Sequence, residues 1–125
     1  MTSILIADDE PHVLRVLKMS LEKEGYDVDV CANGQEALDI VLRDPPDVLI
    51  TDIQMPIING EELCRRIEKH MPDRKFLIFV LTSRTEIEHR EWSREIRNLL
   101  FLEKPVSIRE LLEQLAANRA AFAEG

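Results

Sequence analysis

Four short apolar runs in this chain each break off at a reactive polar residue, and that arrangement leaves few folds open. Ile4-Leu5-Ile6-Ala7 runs into Asp8-Asp9-Glu10, and Val48-Leu49-Ile50-Thr51 runs into Asp52. Phe79-Val80-Leu81 stops at Thr82-Ser83, and Leu100-Phe101-Leu102-Glu103 leads to Lys104-Pro105. Runs this short and this apolar suit buried strands. If they are parallel strands of one sheet, their carboxyl ends share the edge where ligands bind in open α/β sheets. An acid pair, a lone acid, a hydroxyl and an ammonium then converge in one crevice.

Helical patterns alternate with the strands. After the first run, Pro11 sits where a first helical turn tolerates it. Val13, Leu14, Leu17 and Leu21 repeat at helical spacing until Gly25, a C-terminal cap. Asp27-Val28-Asp29-Val30-Cys31 alternates polar with apolar, as a half-exposed edge strand does. Asn33 and Glu36 are placed to open a second helix, with Ala37, Leu38, Val41 and Leu42 on its buried face and Pro45-Pro46 forbidding its continuation. The spacing predicts a third strand over Asp47 to Thr51 and a turn pair at Asn59-Gly60. A helix with Leu63, Ile67 and Met71 inward follows and closes at Pro72-Asp73. Phe76 to Leu81 reads as a central strand covered on both faces. Glu86 to Asn98 is charge-rich and predicted helical, with a thin stripe of Trp92, Ile96 and Leu99. Ser107 and Glu110 form a capping box for the last helix, carried by Leu111, Leu112 and Leu115. Five strand–helix units imply a mainly parallel sheet with helices on both faces.

A chain of 125 residues suits one domain over residues 1–125 with a single core. A net charge of −8, spread along the chain, disfavours nucleic-acid binding, which needs a basic face to displace counterions. Cys31 and Cys64 lack metal-ligand spacing and read as buried thiols of a cytosolic protein. No apolar stretch approaches a membrane span, and Asp8-Asp9-Glu10 interrupts any secretion signal early, so a cytoplasmic location is expected.

Taken singly, each strand-end residue has an ordinary structural reading. Asp8 and Asp9 suit a helix N-terminus, Asp52 a turn, Thr82 a cap, and Lys104 a solvated surface. Together they read differently. Three carboxylates within a few ångströms repel one another until protonation or a divalent cation relieves them. Mg²⁺ prefers oxygen ligands and keeps waters that a phosphoryl oxygen can replace. Thr82 and Lys104 then offer a hydrogen bond and a point charge to that group.

In order and spacing, Asp8-Asp9, Asp52-Ile53-Gln54-Met55-Pro56 with Gly60, Thr82-Ser83 and Lys104-Pro105 resemble the response-regulator receiver domain of bacterial two-component signalling. The resemblance covers essentially the whole chain. It implies a flavodoxin-like, doubly wound five-stranded parallel sheet with strand order 2-1-3-4-5. It also implies that Asp52 accepts a phosphoryl group from a sensor histidine kinase, a phosphotransfer protein or a small acyl phosphate. Asp9, Asp52 and the backbone carbonyl of Gln54 would hold Mg²⁺, with Asp8 joining through water. Lys104 would pair with the phosphoryl group, and Thr82 would swing towards it and draw Phe101 inward. The face of the fourth helix, fifth strand and fifth helix would then change for a downstream partner or output domain, with a phosphorylation-dependent dimer as one outcome. Such a domain is not an enzyme beyond its own phosphorylation and dephosphorylation. Gln54 and Arg84 lie where the family tunes the lifetime of the phosphorylated state, Arg84 either shielding the phosphoryl group or being solvated.

The chain departs from the family at two places. Arg97-Asn98 stands where receivers commonly carry Gly-Ala, although Asn98 still suits a left-handed cap. Phe101 lacks the hydroxyl of the Tyr often found at the switch position. Trp92 reads as core packing beside Ile96, with a partner-facing anchor as the alternative. His12, His70 and His89 show no ligand spacing, and Arg65-Arg66 with Lys69 is a solvated helix face. Three other functions compete. A pseudo-receiver would act as a protein-binding scaffold without accepting a phosphoryl group. A Mg²⁺-dependent phosphatase with an aspartyl nucleophile needs acids two residues apart after the first strand. A flavodoxin-like cofactor binder needs a Ser/Thr/Gly-rich loop where this chain has acids. No helix-turn-helix or catalytic segment follows the last helix, so the chain is expected to act by docking or to belong to a longer regulator.

Overall fold

A computed structural model describes residues 1–119; residues 120–125, which the single-domain reading includes, lie outside the described residues. Five parallel strands form one sheet: β1 (Ser3–Ala7), β2 (Asp27–Cys31), β3 (Val48–Asp52), β4 (Leu77–Thr82) and β5 (Leu99–Glu103), in the order β2-β1-β3-β4-β5. The helices are α1 (Pro11–Lys23), α2 (Gly34–Arg43), α3 (Gly60–His70), α4 (Arg84–Ile87) and α5 (Ile108–Ala117). The expected doubly wound parallel sheet and its strand order are both present.

Where a single core was expected, alternate strand residues feed two clusters, one on each face of the sheet, because successive side chains of a strand point to opposite faces. Leu5, Ala7, Leu49, Ile78 and Val80 pack with Ala37, Val41, Leu63 and Ile67 from α2 and α3. Ile4, Ile6, Ile50, Phe79 and Leu81 pack with Leu17, Leu21, Leu111 and Leu115 from α1 and α5. All residues of β3 and β4 are buried, as apolar central strands require, whereas β2 presents Asp27 and Asp29 to solvent along the sheet edge. Both cysteines are free and buried, and burial pushes their thiols up to about 12, which makes them inert at neutral pH.

The caps follow the local sequence. Gly25 takes φ +95° just past α1. Asn33 accepts a hydrogen bond from Glu36 N–H, and Ser107 from Glu110 N–H. Asn98 adopts the left-handed conformation expected of it, with φ 51°. Asn59-Gly60, expected as a turn pair, instead starts α3: Asn59 is its N-cap, accepting from Glu62 N–H, and Gly60 is its first residue. A side chain at Gly60 would collide with the carbonyl of Asp52, so this glycine lets α3 start hard against the strand end. Gly34 plays the same part for α2, against the carbonyl of Ile58. That obstacle is backbone, which yields less readily than a side chain. Gly34→Ala is therefore expected to destabilise the fold by about 1–3 kcal/mol, measured by urea unfolding. No change in midpoint would mean that the Ile58 loop yields freely.

Several boundaries differ from expectation. β3 and β4 are each shifted by one residue, to Val48–Asp52 and Leu77–Thr82, and Met71, the C-cap of α3, still packs against the core. One difference is larger. The helix expected over Glu86 to Asn98 is absent: α4 ends at Ile87, and a 3₁₀ turn at Glu91–Glu95 follows. The cause lies in charges four residues apart. Glu86 and Arg90 would attract on a helix, but Arg90/Arg94 and Glu91/Glu95 are like-charge pairs, which disfavour it. Local bonds then take the carbonyls a helix would need: Arg90 Nη1 donates to Ile87 O and Ser93 Oγ to Arg90 O, at 3.1 and 2.7 Å.

Where the expected helix would have ended, a polar cluster holds the chain. Arg74 has a side chain with no solvent exposure and lies over the Phe76 ring, 5.4 Å from its centroid. Its guanidinium donates to Glu68 Oε1 at 3.1 Å and to the carbonyl of Arg97. Glu68 also receives Arg97 Nε at 3.4 Å. The stretch that lacks the family's Gly-Ala pair is thus tied to α3.

Candidate phosphoacceptor and metal site

Strand register brings the polar residues to one edge. Ala7 is paired with Thr51, so Asp8 and Asp52 emerge side by side, and Thr82 is paired with Glu103, immediately before Lys104. The backbone carries the ladder past the strands: Asp8 N–H donates to Cys31 O at 3.1 Å and Lys104 N–H to Thr82 O at 2.7 Å. The peptide before Pro105 is cis.

Asp8, Asp9 and Asp52 each place a carboxylate oxygen within 4.8 Å of the others. Asp8 and Asp52 are buried, at 3% and 4% exposure, while Asp9 faces solvent. This oxygen-only donor set, open on one side, fits a hard divalent cation such as Mg²⁺ better than zinc or copper. Burial raises the Asp8 carboxyl above its ordinary range. A hydrogen bond from Glu10 N–H opposes it, the Asp52 charge adds to it, and the Lys104 charge opposes it again.

Lys104 Nζ donates to Asp52 Oδ1 at 2.6 Å, and Ile53 N–H donates to the same oxygen at 2.8 Å. Burial alone would lower the Lys104 pKa. The hydrogen bond to Asp52 and the charges of Asp52, Asp8 and Glu86 outweigh it, holding the ammonium above its ordinary value. Thr82 is fully buried, and its hydroxyl has no hydrogen-bond partner among the described residues, a feature it shares only with Arg74 Nε. A buried hydroxyl without a partner costs about 1–3 kcal/mol, which marks the position as one kept for something other than stability.

The structure gathers Asp8, Asp9, Asp52 and Lys104 and sets Thr82 at the same edge. Gln54 and Arg84 are exposed. The Gln54 amide donates to Glu86 Oε2 at 3.1 Å, so the group meeting Gln54 across the site is Glu86 rather than Arg84. Phe101 is half-buried and meets Trp92 edge-on, with ring centroids 5.7 Å apart and planes at 83°. Trp92 therefore packs onto the core containing Ile96, as expected, but through the Phe101 ring.

Glu86 escaped the sequence reading as a site residue. It closes a full capping box with Ser83: Glu86 N–H donates to Ser83 Oγ at 3.2 Å and Ser83 N–H donates to Glu86 Oε1 at 2.8 Å. Burial would raise its carboxyl. Hydrogen bonds from Ser83 and Gln54, and the charge of Lys104, hold it below the usual range. The pattern Ser-x-x-Glu directly after an apolar strand was the available signal.

Comparison with known proteins shows the family and the fold. The family model described as the response regulator receiver domain matches residues 4–116, and the chain belongs to that family. It is similar to the response regulator MprA of Mycolicibacterium vanbaalenii, 35% identical over 114 residues, 91% of this chain and 48% of that protein. The chain thus spans about half the length of the curated relatives it matches. Its fold is similar to a CheY-like response regulator receiver domain protein from Methanospirillum hungatei, with TM-score 0.88, 28% identity and coverage of 100% and 99% of the two chains. It is also similar to the response regulator TrrA of Thermotoga maritima, solved in complex with Mg²⁺-BeF, with TM-score 0.81, 32% identity and coverage of 94% and 98%. Among the described residues no helix is long and apolar enough to cross a membrane.

Proposed function

We propose that this receiver domain is a phosphoacceptor: Asp52 takes a phosphoryl group from a phosphohistidine or a small acyl phosphate. The 2.6 Å contact of Lys104 with Asp52, beside two further carboxylates, is the observation that carries this reading. An Asp52 oxygen forms a bond to phosphorus as the bond to the donor's nitrogen or oxygen breaks. Lys104 neutralises equatorial charge, and Thr82, a donor without an acceptor, hydrogen-bonds a phosphoryl oxygen. Asp9, Asp52 and the Gln54 carbonyl, with Asp8 beside them, would hold Mg²⁺. Once bound, that ion supplies further charge neutralisation at the phosphoryl oxygens. Movement of Thr82 leaves room for Phe101, and through its ring contact Trp92 shifts with it. Water attack on the acyl phosphate releases inorganic phosphate and resets the switch.

The reading extends to partners. A sensor histidine kinase or phosphotransfer protein supplies the group inside the cytoplasm. A downstream protein, an output domain of the kind implied by the greater length of its relatives, or a second phosphorylated copy receives the signal.

Incubation with acetyl phosphate, followed by intact-mass measurement, tests the proposal. One labile adduct is expected, dependent on Mg²⁺ and absent in Asp52→Ala. No adduct from acetyl phosphate or from a competent histidine kinase would sink the phosphoacceptor reading and leave a scaffold that works by docking alone.

A further inference from the structure

We propose that Glu86 is a positioning residue that restrains phosphoryl uptake by charge, discriminating between phosphoryl donors according to how negative they are. The inference rests on Asp52 being the phosphoacceptor. Its ground is the double engagement of one carboxylate. Oε1 accepts from the backbone N–H of Ser83, the residue after Thr82, and Oε2 accepts from the side chain of Gln54, two residues after Asp52. Glu86 therefore bridges the loops that follow β3 and β4, and its charge acts on Lys104 together with those of Asp8 and Asp52.

A phosphoryl group arriving at Asp52 carries negative charge and needs donors. Glu86 opposes it in two ways: by repulsion, and by already holding the Ser83 and Gln54 N–H groups. A more negative donor feels the repulsion more strongly. The same carboxylate closes the capping box of α4, which has only four residues, so its displacement would also release that turn. Charge at Asp52 and the conformation of the segment after β4 are then linked through one side chain.

Glu86→Gln separates the two roles, because Gln also closes a capping box but carries no charge. Uptake is followed by intact mass in Mg²⁺ with two donors: acetyl phosphate, a dianion that releases acetate, and phosphoramidate, a monoanion at neutral pH that releases ammonia. Glu86→Gln is expected to raise the second-order rate constant for acetyl phosphate about fivefold, and that for phosphoramidate by less. The gain should shrink in high salt, where exposed charges are screened. Glu86→Ala should shift the donor ratio in the same direction with a lower melting temperature, having lost the cap as well. An unchanged donor ratio in Glu86→Gln overturns the proposal, as does a shift confined to Glu86→Ala, which would make the role structural. Absence of any adduct in the unsubstituted protein would remove the phosphoacceptor reading itself, and this inference with it. Uptake by that protein with a silent Glu86→Gln removes the inference alone.

Discussion

Replacing Lys104 with Ala is expected to slow phosphoryl uptake at Asp52 about 10²–10³-fold while leaving Mg²⁺ binding intact. The ammonium lies 2.6 Å from Asp52 Oδ1 and is the only cation hydrogen-bonded to the three-carboxylate cluster among the described residues. Its removal strips the neutralising charge from a group that grows more negative along the reaction. It also takes a positive charge away from a prospective cation site, which should strengthen Mg²⁺ binding if it changes at all. Uptake followed by mass and Mg²⁺ affinity followed by calorimetry therefore move independently. Loss of Mg²⁺ binding in Lys104→Ala would show that the lysine organises the acids rather than serving the phosphoryl group. Lys104→Arg should recover only part of the rate, because a planar guanidinium does not replace a compact point charge on a flexible stem.

The second large effect concerns stability. Arg74→Ala should cost about 3 kcal/mol in urea unfolding, near the low end for breaking a buried ion pair. The variant loses the ion pair with Glu68, the bond to the Arg97 carbonyl and the packing on Phe76. Glu68 keeps its contact with Arg97 and some exposure, which moderates the loss. Arg74→Met retains the stem and should cost less. A loss below about 1 kcal/mol in Arg74→Ala would mean that the Arg97 segment is held by the sheet alone and the polar cluster is dispensable.

How much of this was legible depended on how local the cause was. Strand ends and most caps were readable because apolar period, Gly25, Asn33 and Ser107 act within a few residues. The convergence of Asp8, Asp52, Thr82 and Lys104 was readable because a parallel sheet sends all its carboxyl ends the same way. The helix expected over Glu86 to Asn98 stops at Ile87: its apolar stripe suits a helix, but the like-charge pairs four residues apart oppose one. Arg74 is a different case. A lone arginine after Pro72-Asp73 gives no sign that it will be buried against Phe76, since that depends on how α3 and β5 come together. Glu86 lay within reach, because its capping box is written in the sequence, but its contact with Gln54 spans 32 positions.

The two margins of the sheet are unequal. At β2, Asp27 and Asp29 project into solvent, and inserting a further strand there would set its backbone against a row of charge. At β5 the outer margin carries Leu99, Leu100 and Phe101, each at least partly exposed. A strand added at β2 would meet acids, whereas one added at β5 would meet mainly apolar side chains, with Glu103 the acid at its end.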